Sequence, residues 1–274
     1  MINYPNFDPI AFRVGPVKVH WYGIMYLIGF GAGWWLARVR AAKPGSSWRP
    51  NDVDDFVFFT MVGGILGGRI GYVLFYGLKF WAADPWYLFK IWDGGMSIHG
   101  GFIGAVIALA LFARRRGRKL GDILDFAAPL TPPGLFFGRL GNFINAELYG
   151  RVTAVPWAMV FPTDPSHLPR HPSQLYEAVG EGILVAAIVW WVDSRSHARG
   201  WYRPGVLTGT FLVAYGIVRF AIEFTRQPDA QLGLVLGPFS MGQLLCAVMI
   251  VVGAILLLAP RSTAPNPPPS LDIA

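Results

Sequence analysis

Cysteine is almost absent: Cys246 is the only one in 274 residues. No intrachain disulfide can form. Cys246 also falls inside an apolar run, where burial disfavours the thiolate, so a sulfur nucleophile in any reaction here must arrive with a substrate. Charge is scarce too. Asp, Glu, Lys and Arg make up 14% of the chain, against roughly 25% in a soluble domain, which argues against a water-soluble globule. The five histidines, at positions 20, 99, 167, 171 and 197, include no His-x-x-x-His or Glu-x-x-His pair on an apolar helix. His167 and His171 have the spacing, but Pro169 between them opposes a continuous helix. No metal is therefore assigned. Nor is there a Gly-x-x-x-x-Gly-Lys-[Ser/Thr] loop, the usual mark of nucleotide-driven work, so the free energy for any transfer must reside in a substrate.

What is abundant is apolar sequence, 54% of all positions. Runs at roughly 17 to 37, 53 to 76, 97 to 113, 122 to 137, 177 to 192, 205 to 225 and 239 to 259 each approach the ~20 residues that cross a hydrocarbon core about 30 Å thick. The expectation is an all-α polytopic membrane protein with about seven transmembrane helices. The net charge of +7 sits mostly in short loops: Arg38, Arg40, Lys43 and Arg49 after the first run, and Arg114, Arg115, Arg116, Arg118 and Lys119 after the third. Such loops face the cytoplasm, which puts the N-terminus outside and the C-terminus inside, and they report topology rather than a nucleic-acid partner. Residues 138–176, broken by Pro156, Pro162, Pro165, Pro169 and Pro172, read as a small extracytoplasmic head within one transmembrane domain spanning 1–259. The proline-rich stretch 260–274 reads as a disordered cytoplasmic tail.

Charge at a span centre costs at least about 2.5 to 3.5 kcal/mol, so each intramembrane polar cluster demands a reason. The densest is Gly138-Arg139-Leu140-Gly141-Asn142-Phe143-Ile144-Asn145-Ala146-Glu147-Leu148-Tyr149-Gly150. Its guanidinium suits phosphate oxygens, Asn142 and Asn145 suit the positioning of neighbouring groups, and the glycines allow close backbone approach. The structural alternative is an Arg139–Glu147 pair holding a re-entrant segment. Arg219, Glu223 and Arg226 form a second cluster on one helical face; one carboxylate beside two arginines leaves positive charge over for a phosphate, unless the three are only an ion-pair ladder. In the third, Trp92 to Gly101, four glycines surround His99, a candidate base for a thiol or an interfacial histidine. Arg69, among Gly67, Gly68 and Gly71, calls for a partner such as Glu223 or Glu147, while the glycines read as helix packing. Glu177 fits an ordinary helix start after Pro172. His20 and Trp21 suit an interfacial belt, and Tyr22 stays open as a site hydroxyl.

These residues resemble one family, the prolipoprotein diacylglyceryl transferases. The stretch from Gly138 to Gly150 looks like the family signature, and further matches run through His20–Gly23, Gly67–Tyr72, Asp93–Gly101, His171–Glu177 and Arg219–Gln231. The resemblance implies a seven-span enzyme of the bacterial cytoplasmic (inner) membrane, its active site towards the periplasm. It would move the diacylglyceryl group of phosphatidylglycerol to the lipobox cysteine of a preprolipoprotein, before signal peptidase II cleavage, forming a thioether and releasing glycerol 1-phosphate. No metal or soluble cofactor is implied. With the clusters above, it puts forward His99, Arg139 and Arg219 as candidate catalytic residues. Tyr22, Asn142, Asn145, Glu147, Gly150, Glu223 and Arg226, again with Arg139, are the candidate substrate-binding residues. The competing class is a lipid transporter or flippase, which also needs arginines for headgroups but requires polar groups along a route between leaflets.

Overall fold

The computed structural model describes residues 2–91, 94–227 and 234–259. The expected tail, 260–274, lies outside them. The chain is an α-helical polytopic membrane protein. Its helices are α1 (Trp21–Ala41), α2 (Pro50–Phe75), α3 (Leu78–Ala83), α4 (Ile98–Arg115), α5 (Leu120–Ala127), α6 (Thr131–Ile144), α7 (Ser173–Glu177), α8 (Val185–Ala198), α9 (Val206–Ile222) and α10 (Met241–Leu258). A π-helical stretch, Ala178–Leu184, joins α7 to α8, so Ser173–Ala198 is one continuous rod. That rod, Pro50–Phe75 and Met241–Leu258 are long and apolar enough to cross a membrane, and Val206–Ile222 is a shorter apolar helix.

Each of the seven apolar runs contains a helical stretch, but three expectations need correction. The fourth run is not one helix: Pro129 falls in a single 3-10 turn, Ala128–Leu130, between α5 and α6, because proline cannot supply the N–H that would carry α5 onward. The Pro129 carbonyl, which Pro133 cannot serve as an i+4 donor, accepts from Trp190 Nε1 at 3.0 Å. Residues 138–144, placed in the head, are the second half of α6. The fold is also not purely α-helical: Ile10–Val14 pairs with Val17–His20 in a hairpin, and Ile2–Asn3, Met159–Val160 and Pro169–Arg170 make a small sheet.

The chain divides into two compact units, Met1–Leu36 with Leu124–Ala274, and Ala37–Ile123. In the second unit α2 and α4 pack through glycine. A Cβ on Gly67 would lie 2.3 Å from the Gly100 carbonyl oxygen, and one on Gly104 would lie 2.3 Å from that of Gly63. Small residues at four-residue spacing let the two backbones touch, which supplies packing where lipid offers no hydrophobic drive. At one end Asp52, Asp54 and Asp55 receive the loop arginines: Arg38 reaches Asp54 at 2.5 Å, Arg116 pairs with Asp55 and, at 3.3 Å, with Asp52.

The first unit is built around α6, the 173–198 rod and α9. Buried Asp125 supplies the cap that α9 lacks locally, accepting from Gly205 N and Thr208 N, each at 2.8 Å, and from the Thr208 hydroxyl at 2.6 Å. Ser240 caps α10, with Gln243 returning the bond to the Ser240 N–H at 3.0 Å. The head closes over the end of α6 with Tyr4, Phe143, Ala146, Met159 and Phe161 as its core. The Tyr4 hydroxyl donates to the Phe143 carbonyl at 2.6 Å.

Candidate active site

Three elements bring six charged side chains into one closed ring. α6 contributes Arg139; the 173–198 rod contributes Glu177 and Glu181; the end of α9 contributes Arg219, Glu223 and Arg226. Charges alternate around it. Arg139 Nη2 lies 3.3 Å from Glu181, whose other oxygen is 3.4 Å from Arg219 Nε. Arg219 Nη1 is 2.7 Å from Glu223, and Glu223 is 3.3 Å from Arg226 Nε. Arg226 Nη1 reaches Glu177 at 2.5 Å, and Glu177 closes the circuit at 2.7 Å from Arg139 Nε. Ser240 steadies Glu223 with a hydroxyl bond of 2.9 Å.

The ring overturns several expectations. Arg219 and Arg226 do not carry surplus positive charge, since Glu177 and Glu181 join Glu223 and the formal charges cancel. Arg139 does not pair with Glu147. Glu177 is no ordinary helix start, because its carboxylate is buried and holds Arg139 and Arg226. Glu181 was not legible as a site residue, although an acid one helical turn after Glu177 in an apolar run was the available signal. The ring is also polarised: the side chains of Glu177 and Glu181 are 1% and 0% exposed, whereas Arg139 retains 20%. Glu223, at 10%, is close to Arg219 at 13% and Arg226 at 12%, so Glu177 and Glu181 are the deep members of the ring. These pairs run through Nε and Nη2 of Arg139 and through Nε and Nη1 of Arg219 and of Arg226.

A second polar group lies in the same unit. Glu147 accepts from Asn142 Nδ2 at 2.8 Å and from Asn145 Nδ2 at 3.5 Å. Its neighbours Ala146 and Leu148 both hold positive φ, 53° and 58°, a conformation that costs a side-chain-bearing residue about 1–3 kcal/mol and persists only where surrounding contacts enforce it. The enforcing contacts come from the start of the rod. Gln174 Nε2 donates to the Glu147 carbonyl at 2.6 Å and the Ser173 hydroxyl to that of Leu148 at 3.0 Å. Tyr22 packs on Gly141, where a Cβ would lie 2.9 Å from its ring, and its hydroxyl is 3.1 Å from that of Tyr26.

Gly150 ties this loop to the ring. It bridges to Arg226, donates its N–H to the His171 carbonyl at 2.9 Å, and leaves no room for a Cβ, which would fall 2.3 Å from the Thr225 carbonyl oxygen. Of the glycines in the signature, Gly141 and Gly150 are thus both places of close protein packing. Beyond them, Asp164 is buried against Arg170, whose guanidinium holds its carboxyl well below the usual carboxylate range, and burial pushes the His171 imidazole down.

In the Ala37–Ile123 unit, His99 is exposed on the first turn of α4, which Ser97 caps by accepting from Gly100 N at 3.2 Å. The glycines after His99 are explained by packing on α2. Among the described residues Arg69 meets no carboxylate; it is buried and donates to the carbonyls of Leu88 at 3.0 Å, Gly94 at 2.5 Å and Gly95 at 3.1 Å, and to that of Tyr87. It thereby pins the turn that leads into His99. An apolar groove of about 800 Å³ runs along this helix pair, lined by Phe58, Leu66, Ile70, Ile103 and Ile107 with His99 among its residues. Among the described residues no group of three or more His, Cys, Asp or Glu is placed to hold a metal ion.

Helices long and apolar enough to cross a membrane, with a buried ring of alternating charges among them, define a polytopic membrane protein. The chain belongs to the prolipoprotein diacylglyceryl transferase family, whose profile matches residues 9–259. Among its relatives, the phosphatidylglycerol–prolipoprotein diacylglyceryl transferase of Nitratidesulfovibrio vulgaris (strain Miyazaki F) is 54% identical over 269 residues, covering 97% of this chain and 99% of the relative. That of Azotobacter vinelandii is 51% identical over 256 residues, 93% and 94% of the two chains. That of Vibrio vulnificus (strain YJ016) is 53% identical over 255 residues, 93% and 92%.

Proposed function

We propose that this enzyme transfers the diacylglyceryl group of phosphatidylglycerol to a lipobox cysteine of a prolipoprotein, with the lipid phosphate held at the arginine ring. The observation that carries the reading is that ring: three guanidinium groups, from Arg139, Arg219 and Arg226, gathered on Glu177 and Glu181, which are its most deeply buried members. The cysteine sulfur attacks the glycerol carbon, the C–O bond to phosphate breaks, and glycerol 1-phosphate leaves with a thioether formed. As the bond breaks, negative charge grows on the leaving oxygen. Guanidinium groups already fixed in a water-poor site stabilise that charge without reorganising, a term worth roughly 10²–10³ in rate per donor.

Arg139 and Arg219 are assigned to this stabilisation, with Glu223 and Arg226 completing the headgroup site. Tyr22, Asn142, Asn145, Glu147 and Gly150 order the substrate beside it. His99 is assigned as the base, since a thiol with a reference pKa near roughly 8.5 ionises poorly without one at neutral pH. The apolar groove along α2 and α4 suits acyl chains entering laterally from the membrane. Seven spans, an outer N-terminus and a site towards the periplasmic side complete the proposal, which side-specific labelling of cysteines introduced near residues 45 and 155 tests.

Mass spectrometry of a synthetic lipobox peptide incubated with purified enzyme and phosphatidylglycerol tests the reaction. The peptide should gain a diacylglyceryl mass on its cysteine, and Arg139→Ala should lose it. His99→Gln should slow turnover most near neutral pH; normal turnover in folded His99→Gln removes that assignment. No mass gain with folded wild-type enzyme would instead favour lipid transport.

A further inference from the structure

Two members of the ring, Glu177 and Glu181, have no part in the chemistry above, and Glu181 is the one that joins Arg139 to Arg219. Among the described residues Glu181 pairs with the two arginines assigned to the leaving phosphate, one through each oxygen. Oε2 accepts from Arg139 Nε and Nη2, both at 3.3 Å. Oε1 faces Arg219 Nε at 3.4 Å and is buried without a well-directed hydrogen bond. The backbone that carries Glu181 has little slack. A Cβ on Gly182 would lie 2.6 Å from Phe136 Cβ, one turn before Arg139 on α6, and a Cβ on Gly180 would lie 2.7 Å from Val218 Cγ1, next to Arg219 on α9. The two glycines thus clamp Glu181 between the helices that bear the two arginines. The clamp falls within the π-helical stretch, a wide-turn irregularity frequent at functional sites.

We infer that Glu181 is a positioning residue, a carboxylate spacer that sets the gap between Arg139 and Arg219 and so fixes both guanidinium groups for the departing phosphate. The assignment rests on the proposed reaction. Its energetic logic is that a carboxylate accepts from two arginines at once, whereas the isosteric amide of glutamine has one acceptor and turns donors towards the other guanidinium.

The test is steady-state kinetics of full-length Glu181→Gln, Glu181→Ala and Glu181→Asp on phosphatidylglycerol and a lipobox peptide, per folded enzyme. Glu181→Ala should lower kcat by about 50-fold or more while both KM values move less than about threefold, the pattern of an interaction realised in the transition state. Glu181→Gln should fall between it and wild type, and Glu181→Asp should recover part of the loss. In an Arg139→Lys background, Glu181→Gln should add less than about threefold, because a residue acting through Arg139 cannot act twice. Should Glu181→Ala fail to fold, the isosteric glutamine carries the test. Turnover of folded Glu181→Gln within about twofold of wild type, or losses that multiply in the double variant, overturns the inference. A wild-type enzyme that transfers nothing overturns the functional reading, and the role of Glu181 falls with it.

Discussion

Gly150 shows how a residue with no side chain sets the position of charged ones. Its Cα sits between the Thr225 carbonyl and His171, so the loop bearing Glu147 is held directly against the segment that ends in Arg226. Gly150→Ala should force these apart by more than an ångström. Misplacement on that scale can cost about 10²-fold, so we expect kcat to drop at least tenfold with the helices still folded, read by peptide lipidation alongside a thermal melt. The residue scale was also the part of the site most legible in sequence. Arg139 stood out because glycines and asparagines flank it, and Arg219, Glu223 and Arg226 because their spacing puts them on one face. Their partners were not legible, since an acid that meets its arginine 42 positions away leaves no local signature. Arg69 was misread for the same reason: its ligands are backbone carbonyls, and every residue carries one.

Among the elements, α2 and α4 have a contact surface that was visible in advance as repeated glycine. Gly104→Ala would place a methyl group 2.3 Å from the Gly63 carbonyl oxygen. We expect a destabilisation of about 1–3 kcal/mol, seen as a lower Tm of the detergent-solubilised enzyme, the usual result of overpacking a tight contact. Long helices followed from apolar length, whereas the breaks within them followed less well. The fourth run reads as one span by hydropathy, yet Pro129 divides it, and the strand Ile2–Asn3 escapes notice because a two-residue strand is specified by its partner rather than by its own pattern. The π-helical stretch has no hydropathy signal at all; it is set by what Gly180 and Gly182 must pass.

For the whole molecule, acid should loosen the head before the helices. Arg170 holds the Asp164 carboxyl below its ordinary value, so the pair stabilises the folded state fully above roughly pH 3.9, and that stability is lost as pH falls towards the depressed value. Asp164→Asn should remove about 1.5–3 kcal/mol at neutral pH and flatten the fall in Tm below about pH 4, measured by melts across the acid range. The polytopic helical class was readable at this scale because membrane insertion writes itself into composition, while the division into two compact units depends on contacts that hydropathy does not encode. The ring of three arginines and three glutamates then has an electrical consequence. Having no net formal charge, it feels no net pull from the transmembrane potential, which acts at about 2.3 kcal/mol per elementary charge per 100 mV. An anionic lipid headgroup entering the site would be the mobile charge. The voltage sensitivity of turnover in energised vesicles therefore reads out how deep into the bilayer that headgroup travels.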